Sequence, residues 1–262
     1  EKAITALEVI DDSILSKLPN LKVIGKYGVG LDMIDLHAMK DRGVKLGWTG
    51  GVNKRSVSEL VISFSIYLLH RVAFANAEVR NGEWYQVKGR QLSDCTFGIV
   101  GCGHVGKDLV KLLKPFGCNI LAHDRIDFKE FYQENNITSV GLDELLQKSD
   151  VVTLHLPKND STNNILNKDR LQMLKKDAIL INLARGGLLD ESALKKILSE
   201  KNIAGAALDV FSVEPPIDTD FAHLDNVLIT PHIGGSTEEA ILAMGLAAID
   251  GLKNPKNPLK FL

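Results

Sequence analysis

Three side chains in the second half of the sequence are of types that together could move a proton and a hydride. Arg185 lies in "INLARGG", Glu214 in "DVFSVEPP" and His232 in "TPHIGGS". Histidine titrates near neutral pH and can act as a base, and a carboxylate on its second ring nitrogen stabilises the imidazolium. Arginine is a two-pronged donor for a carboxylate. This set suits hydride transfer between a 2-hydroxy acid and a nicotinamide.

Each of the three residues has a simpler interpretation when it is taken alone. Most arginines and loop carboxylates are surface groups, and a single histidine is more often structural than catalytic. Their shared position favours the chemical interpretation, because each follows an apolar run that we predict to be a strand. An open parallel sheet presents its ligand crevice at the carboxyl ends of its strands. We therefore expect the three side chains to meet there.

A glycine-rich motif, "GCGHVG", follows the apolar run "FGIV" and opens an amphipathic stretch. Gly101 permits a tight turn, Gly103 lets the backbone approach a pyrophosphate, and Gly106 lets helix and strand pack closely. Asp124 ends the next predicted strand, where an acid can accept a hydrogen bond from a ribose 2′-hydroxyl. Asp124 should repel a 2′-phosphate, whereas the neighbouring Arg125 could attract one. The motif predicts a dinucleotide site, and we expect NAD.

Short apolar runs alternate with helical patterns through most of the chain. Apolar positions repeat at helical spacing over 105–113 and 194–198. Near-continuous apolar strands separated by helices indicate an α/β fold with a parallel sheet covered on both faces, which is a doubly wound, Rossmann-type domain. The strands predicted in this domain span 97–100, 119–122, 151–156, 178–183, 204–210 and 226–230.

A smaller α/β segment precedes this domain. We predict strands at 3–6, in "LKVIGKYGVG" before its glycine loop, and in "GVKL". A long helix follows, for which Ser56 and Glu59 form a predicted capping box. A last helix is predicted from Thr237 to about Leu252.

Composition excludes several classes of function. Apolar residues make up 45% and charged residues 24% of the chain, as in globular proteins. Lys and Arg number 31 against 33 Asp and Glu, with no long basic block, so we expect neither nucleic acid nor a membrane as partner. No apolar run is long enough for a membrane span. The three cysteines lack metal-ligand spacing, which predicts no metal site and a reducing, cytoplasmic location.

Five blocks of the sequence resemble signature blocks of one family, the NAD-dependent D-isomer specific 2-hydroxyacid dehydrogenases. They occur in the family's order over nearly the whole chain and are most similar to the D-3-phosphoglycerate dehydrogenase branch. The blocks are "GKYGVGLDMIDL", "GIVGCGHVG", "INLARGGLLDESAL", "AALDVFSVEPP" and "TPHIGGS". The resemblance implies a homodimeric enzyme that interconverts a small D-2-hydroxy acid and its 2-oxo acid. Glyoxylate or hydroxypyruvate is an alternative to phosphoglycerate, and an NAD-sensing, co-repressor-like binding protein is an alternative to an enzyme.

The resemblance also implies roles for individual residues. Arg185 would bind the substrate carboxylate, Glu214 would orient His232, and His232 would be the acid and base. The backbone of Gly28, Val29 and Gly30 would help to bind the substrate. The residues implied at the cofactor are Gly101, Gly103, His104, Val105, Gly106, Asp124, Arg125, His155, Leu156, Pro157, Leu183, Ala184, Asp209, His232, Gly234 and Gly235.

Within that set, the resemblance divides the cofactor among segments. The amides of His104 and Val105 would face the pyrophosphate, and Leu156 and Pro157 would border the adenine side. Asp209 would hold the nicotinamide carboxamide, with Leu183 and Ala184 beside it.

Family members have two domains, and the resemblance assigns this chain's segments to them. Residues 1–54 plus 238–262 would form a flavodoxin-like substrate domain, incomplete at its N-terminal side, and 55–237 the NAD-binding domain with the interdomain helix. The active site would lie in the cleft between them. About fifty further residues would normally precede this start.

Two single positions bear on the branch of the family. Glu8 occupies a region where phosphoglycerate dehydrogenases tend to have an arginine, and a carboxylate there opposes a phosphate. Glu214 disfavours the formate dehydrogenase branch, which has glutamine at that position. The substrate is therefore predicted only as a small 2-hydroxy or 2-oxo acid, with phosphoglycerate as first choice.

Overall fold

The computed structural model describes residues 1–217 and 220–261. The chain forms two compact units, one made of Glu1–Ser56 with Gly235–Leu262 and the other of Val57–Gly234. The sequence analysis predicted the first unit at 1–54 plus 238–262 and the second at 55–237, so each boundary differs by two or three residues. The roles of the two units, in substrate and cofactor binding, stay predictions.

The smaller unit contains a three-stranded parallel sheet in the order β1-β2-β3. Its elements before the chain leaves for the second unit are β1 (Lys2–Thr5), α1 (Asp12–Leu15), β2 (Val23–Lys26), α2 (Leu36–Asp41) and β3 (Lys45–Gly47). Asp11 and Asp35 cap α1 and α2 by accepting backbone N–H groups of the first turn. Leu46 and Met39, both fully buried, lie in the core of this unit.

The larger unit contains seven parallel strands in the order β10-β9-β8-β7-β4-β5-β6. Its strands are β4 (Thr96–Val100), β5 (Asn119–His123), β6 (Thr138–Ser139), β7 (Val151–Leu154), β8 (Ile179–Asn182), β9 (Gly205–Leu208) and β10 (Val227–Ile229). The chain moves outward from β4 to β6, returns to β7 and moves outward in the other direction. The predicted doubly wound fold is confirmed, and the strand order reverses between β4 and β7, where such folds bind ligands.

Helices cover this sheet and connect its strands. They are α3 (Lys54–Leu69), α4 (Val72–Arg80), α5 (His104–Leu113), α6 (Lys129–Glu134), α7 (Leu142–Lys148), α8 (Lys168–Leu171) and α9 (Glu191–Ser199), and α10 (Glu238–Gly251) follows in the smaller unit. Successive residues of a strand enter different apolar clusters: Val151 lies in one and Val152 in the other. Both faces of the sheet are therefore buried.

The predicted strands are all present, with ends that differ by one or two residues. The strand predicted at 151–156 ends at Leu154, because the chain turns toward Pro157, which has no N–H for a ladder. The two-residue strand β6 was not predicted, since Thr138 and Ser139 are both exposed and show no apolar pattern.

The predicted capping box at Ser56 and Glu59 is wrong. Helix α3 begins at Lys54, so Ser56 lies inside the helix and cannot be its N-cap. Ser56 is 7% exposed and Glu59 is exposed, so the two residues lie in different environments within the helix rather than at its end. The last helix does begin where predicted, with the Thr237 side chain accepting from the Ala240 amide.

Helices α3 and α4 follow one another with a bend between them. Val57, Val61 and Phe64 of α3 pack into an apolar cluster of the larger unit. In the described part of the chain, no single helix is long and apolar enough to cross a membrane. The bent pair of α3 and α4, with 59° between them, meets that criterion only by length and composition.

Candidate functional site

The structure brings His232 and Glu214 into direct contact. Nδ1 of His232 lies 2.7 Å from Oε2 of Glu214. Glu214 belongs to the loop after β9, and His232 follows β10, so both lie beyond the carboxyl ends of neighbouring strands. A carboxylate at Nδ1 requires the proton there, which leaves Nε2 of the neutral ring as an acceptor. The pair therefore has the arrangement of a base with an orienting acid.

Asp209, at the end of β9, holds the segment that carries His232. Its carboxylate accepts hydrogen bonds from Thr230 Oγ1 at 2.5 Å, the Ile233 amide at 2.8 Å and the Gly234 amide at 2.8 Å. Its carbonyl accepts from the His232 amide at 2.9 Å. The side chain is 1% exposed. The sequence analysis placed Asp209 at the nicotinamide and missed these bonds.

The backbone of His232 adopts an uncommon conformation. Its φ is 55°, in the left-handed region that non-glycine residues seldom enter. Such a conformation persists only where surrounding contacts over-determine it, and the bonds to Asp209 supply those contacts. The geometry of the imidazole thus depends on a buried carboxylate that does not bond to the ring.

A cavity of about 340 Å³ adjoins the His–Glu pair. Its volume lies at the small end of the range for small-molecule sites. Arg185 does not belong to its lining. The residues around the cavity are Asp209, Phe211, Glu214, Pro215, Pro216, Ile229, Thr230, Pro231 and His232.

Arg185 lies on a tight turn after β8. The Asn182 side chain holds this turn, donating from Nδ2 to the Arg185 carbonyl at 2.9 Å and accepting from the Ala184 amide at 3.1 Å. A Cβ on Gly186 would collide with the Phe211 carbonyl, so only glycine fits there. Arg185 is thus fixed at the strand end beside β9. The sequence analysis missed Asn182, although a buried polar residue ending an apolar strand is a recognisable signal.

The glycine loop has the geometry that a pyrophosphate needs. Gly101 has φ of 95°, and α5 begins at His104 with Gly103 as its N-cap. A Cβ on Gly103 would meet nothing within 4 Å, whereas one on Gly106 would collide with the Gly101 carbonyl. The space beside Gly103 at the N-terminus of α5 is therefore open, which fits a dinucleotide phosphate at the first amides of this helix.

Asp124 ends the strand next to that loop. Its Oδ2 accepts from the Cys102 amide at 2.7 Å and its Oδ1 from the Ile126 amide at 2.9 Å. Each carboxylate oxygen can accept a further hydrogen bond, so a ribose hydroxyl can still bind. Arg125 beside it is exposed.

The segment after β7 packs against the glycine loop. A Cβ on Gly101 would lie 2.6 Å from the His155 carbonyl and 2.9 Å from the Leu156 side chain. The His155 ring contacts Thr153 Oγ1 at 3.1 Å, and its desolvation lowers its pKa to about 3. His155 is therefore neutral at physiological pH, and Pro157 follows it on the exposed side.

The remaining cofactor candidates follow β8 and β10. Leu183 is buried and Ala184 is partly exposed, directly before Arg185. A Cβ on Gly234 would lie 3.1 Å from Asp209 Oδ2, and one on Gly235 would lie 2.8 Å from Asn53 Nδ2. Both glycines therefore permit close approach of the backbone to neighbouring polar groups.

The candidate substrate loop belongs to the smaller unit. Gly28, with φ of 97°, Val29 and Gly30 follow β2. Lys26, which is 5% exposed, donates from Nζ to the carbonyls of Ala6 and Tyr27. This buried cation directly before the loop was missed by the sequence analysis, although a lysine in an apolar strand is unusual.

Glu8 lies near the end of β1 in the same unit. It accepts hydrogen bonds from the Thr5 hydroxyl and the Ala6 amide, both at 2.7 Å. These bonds lower the pKa of Glu8 to about 2. Glu8 is therefore a fixed negative charge near the end of β1, the region in which the sequence analysis contrasted it with the arginine of phosphoglycerate dehydrogenases.

No cluster of three or more His, Cys, Asp or Glu side chains in residues 1–217 and 220–261 is arranged to hold a metal ion. Cys95, Cys102 and Cys118 are free thiols, and burial raises the pKa of Cys102 to about 11.

Comparison with known proteins decides the family. Residues 62–234 match the model of the "D-isomer specific 2-hydroxyacid dehydrogenase, NAD binding domain". The chain belongs to this family. The match confirms the resemblance, and NAD is the cofactor of the family's domain that this chain contains.

The chain is similar in sequence to relatives that are named for different substrates. D-3-phosphoglycerate dehydrogenase of Methanocaldococcus jannaschii is 39% identical over 243 residues, covering 92% of this chain and 46% of the relative. Glyoxylate reductase of Thermofilum pendens is 39% identical over 241 residues, covering 88% and 70%. The chain thus spans about half the length of the first and most of the second.

Solved structures show the same fold. The crystal structure of D-lactate dehydrogenase from Aquifex aeolicus, complexed with NAD and lactic acid, superposes with a TM-score of 0.89 at 28% identity. The match covers 97% of this chain and 82% of that one.

Proposed function

We propose that this chain is an NAD-dependent oxidoreductase that interconverts a D-2-hydroxy acid and its 2-oxo acid. The observation that carries the proposal is the 2.7 Å contact between His232 Nδ1 and Glu214 Oε2 beside a cavity at the carboxyl edge of the sheet. The family match and the glycine loop at α5 support it further.

The chain's own residues handle the proton and the substrate. In the oxidation direction, His232 Nε2 takes the hydroxyl proton, and Glu214 stabilises the imidazolium that forms. Arg185 binds the substrate carboxylate through charge-assisted hydrogen bonds. The backbone of Gly28, Val29 and Gly30 supplies further donors to that carboxylate. The bound NAD supplies the hydride acceptor.

D-3-Phosphoglycerate is the first substrate candidate, because the chain is similar to phosphoglycerate dehydrogenases over most of its length. Glu8 favours the second candidate, a 2-oxo acid without phosphate such as glyoxylate or hydroxypyruvate. Its fixed charge near the end of β1 would oppose a phosphate. Relatives named glyoxylate reductase and hydroxypyruvate reductase are comparably similar.

The substitution His232→Gln tests the mechanism. Steady-state NADH oxidation with glyoxylate, hydroxypyruvate and phosphohydroxypyruvate should show turnover lowered about 10²- to 10⁴-fold, the usual effect of losing a general base. His223→Gln, which changes an exposed histidine after β9, is the matched control and should keep the wild-type rate. A His232→Gln protein with wild-type turnover would rule out the proposed base.

The same assay separates an enzyme from an NAD-sensing binding protein. A sensor would bind NADH and turn over none of the three acids, whereas the intact Arg185, Glu214 and His232 favour turnover.

We also propose that the chain forms a homodimer in the cytoplasm. Exposed apolar side chains cluster on α4 and the segment after it, including Trp84 at 81% exposed and Tyr85 at 60%. An exposed apolar patch of this kind marks an interaction surface. Three free cysteines are consistent with a reducing compartment. Sedimentation velocity measures the oligomeric state.

A further inference from the structure

A second cavity, of about 350 Å³, lies at the amino ends of strands in the seven-stranded sheet. Its lining includes residues just before three adjacent strands: Lys176 and Asp177 before β8, Ala204 before β9, and Asn226 before β10. The glycine loop and His232 instead follow the carboxyl ends of strands. The cavity therefore lies at the opposite ends of the strands from the proposed active site.

The walls of this cavity are strongly cationic. Five cationic side chains line it against two acidic ones, Asp177 and Asp225, although the whole chain carries a net charge of −2. Cations gathered in a concave, low-dielectric surface raise the local concentration of anions. The cationic residues are Arg71, Lys88, Arg90, Lys176 and Lys201.

The chain itself neutralises only part of this charge. Arg90 Nη2 lies 3.1 Å from Asp150, and Lys201 Nζ lies 3.3 Å from Asp225. Within residues 1–217 and 220–261, neither Lys88 nor Lys176 has an ion-pair partner. In the described part of the chain, positive charge without an ion-pair partner therefore lies on both segments that carry these two lysines.

Two polar groups of the lining are left without partners. Arg90 Nη1 and Asn226 Oδ1 are buried and find no hydrogen-bond partner in the described structure. Buried unpaired polar atoms cost stability, and the few in a native structure call for an explanation. A ligand bearing a hydrogen-bond acceptor would supply the partner that Arg90 Nη1 lacks in the described structure.

The remaining lining is apolar, and its segments are anchored. Tyr67, Phe74 and Ile203 contribute apolar surface. The Arg90 amide donates to the Leu69 carbonyl at 3.0 Å, and a Cβ on Gly89 would lie 2.8 Å from that same oxygen. The segment carrying Lys88 and Arg90 is thus held against the end of α3 and forms a fixed wall.

We propose that this cavity binds a small organic anion, with its carboxylate or phosphate among the lysines and arginines and its apolar part against the aromatic wall. Charge, concavity and the unpaired guanidinium nitrogen all favour an anion, and the volume of about 350 Å³ lies at the small end of the range for small-molecule sites. The site is independent of the proposed dehydrogenase chemistry. Its ligand need not be a substrate.

Titration of the full chain with benzoate, phenyl phosphate and uncharged benzamide tests this site. Amide NMR should show shifts at Gly89, Ile203 and Asn226 for the two anions and none for benzamide. The anion that binds with the higher affinity identifies the preferred headgroup. Tighter binding of either benzoate or phenyl phosphate supports the proposal. The shifts should arise whether or not His232→Gln abolishes turnover, so the two proposals are tested separately.

The double substitution Lys88→Gln/Lys176→Gln should weaken benzoate or phenyl phosphate binding by about tenfold or more, because it removes two charged partners. Lys114→Gln/Lys168→Gln makes the same change at two exposed lysines outside the cavity and should alter affinity less than about twofold. The pair of variants separates local contacts from overall charge.

Several outcomes would overturn the site. Benzamide could bind as well as benzoate, the shifts could fall only around His232, or both double variants could bind alike. A further result would assign the cavity to a second copy of the chain instead. In that case the wild type would be a dimer without anion-induced shifts, and Lys88→Gln/Lys176→Gln would sediment as a monomer.

Discussion

Two carboxylates near His232 make different contacts, one with its imidazole ring and the other with the backbone around it. Glu214 contacts the imidazole itself, whereas Asp209 bonds to the segment on both sides of it. A carboxylate offers two oxygens that only accept, which matches the hydroxyl and two amides around Asp209. The position of the proposed base therefore depends on Asp209, whose hydrogen bonds go to the backbone and to Thr230 rather than to the imidazole ring.

The substitution Asp209→Asn tests that dependence. The amide NH₂ of Asn would face a backbone N–H of Ile233 or Gly234, so one donor loses its acceptor. We expect about 1–3 kcal/mol lower stability in urea unfolding. We also expect turnover of 2-oxo acids about tenfold to a hundredfold lower, because a small displacement of the base is costly.

Asp143→Asn is the control for this substitution. It breaks an exposed pair with Arg170, worth at most about 1 kcal/mol, and should leave turnover unchanged. Equal stability and turnover for Asp209→Asn and Asp143→Asn would show that the bonds to Asp209 do not position His232.

At the scale of elements, Asp150 links several segments at the amino ends of the strands. Directly before β7, it accepts from the Thr96 amide of β4 at 2.7 Å, from Lys175 at 2.8 Å and from Arg90 at 3.1 Å. Burial alone would raise the pKa of Asp150, but these hydrogen bonds outweigh it and lower that pKa. The ionised form is therefore favoured by folding.

The pH dependence of stability follows from this lowered pKa. A depressed carboxyl pKa contributes stability above the unfolded value, near pH 4, and that stability is lost as pH falls through the folded value. Asp150→Asn should cost about 1–3 kcal/mol in urea unfolding near pH 7. The difference from wild type should shrink below about pH 4.

Glu144→Gln, which removes an exposed pair with Lys148, serves as the control and should change stability by less than about 1 kcal/mol at either pH. A gap between wild type and Asp150→Asn that stays constant from pH 7 into acid would contradict an ionised Asp150 as its source.

At the scale of the whole molecule, the chain forms two units of different size. Residues Val57–Gly234 carry the glycine loop, Arg185, Glu214 and His232, whereas the loop at Gly28 belongs to the other unit. The glycine loop and the residues proposed for proton transfer therefore belong to the larger unit, and the candidate loop at Gly28 belongs to the smaller one.

Thermal unfolding of the full chain with NAD⁺ tests cofactor binding at the glycine loop independently of turnover. Ligand at a hundredfold excess over its Kd stabilises the native state by about 2.7 kcal/mol, and the melting temperature should rise accordingly. Gly103→Val should fold normally, because a Cβ there meets nothing within 4 Å. It should nevertheless lose the NAD⁺-dependent rise, since the side chain fills the space of the pyrophosphate.

Gly141→Val is the matched control, because Gly141 is also a helix N-cap with open space around its Cβ. It should keep the full shift. An undiminished NAD⁺ shift in Gly103→Val would place the cofactor elsewhere.

The sequence by itself determined the sheet, its direction and the identity of the glycine loop. Apolar runs such as that around Val151 and the spacing in "GCGHVG" are local patterns, and local periodicity reflects which face is buried. The types of Arg185, Glu214 and His232 likewise indicated their chemistry before any geometry was known.

Only the tertiary structure decided how side chains from distant segments meet. The bonds from Asp209 to 230–234, the burial of Lys26 and the cationic cavity beside Arg90 join positions far apart in the chain. The wrong capping box at Ser56 has the same origin, since the pattern did not reveal that the helix begins earlier. Sequence spacing fixes the direction of a side chain within its own element, but contacts between elements depend on how they pack.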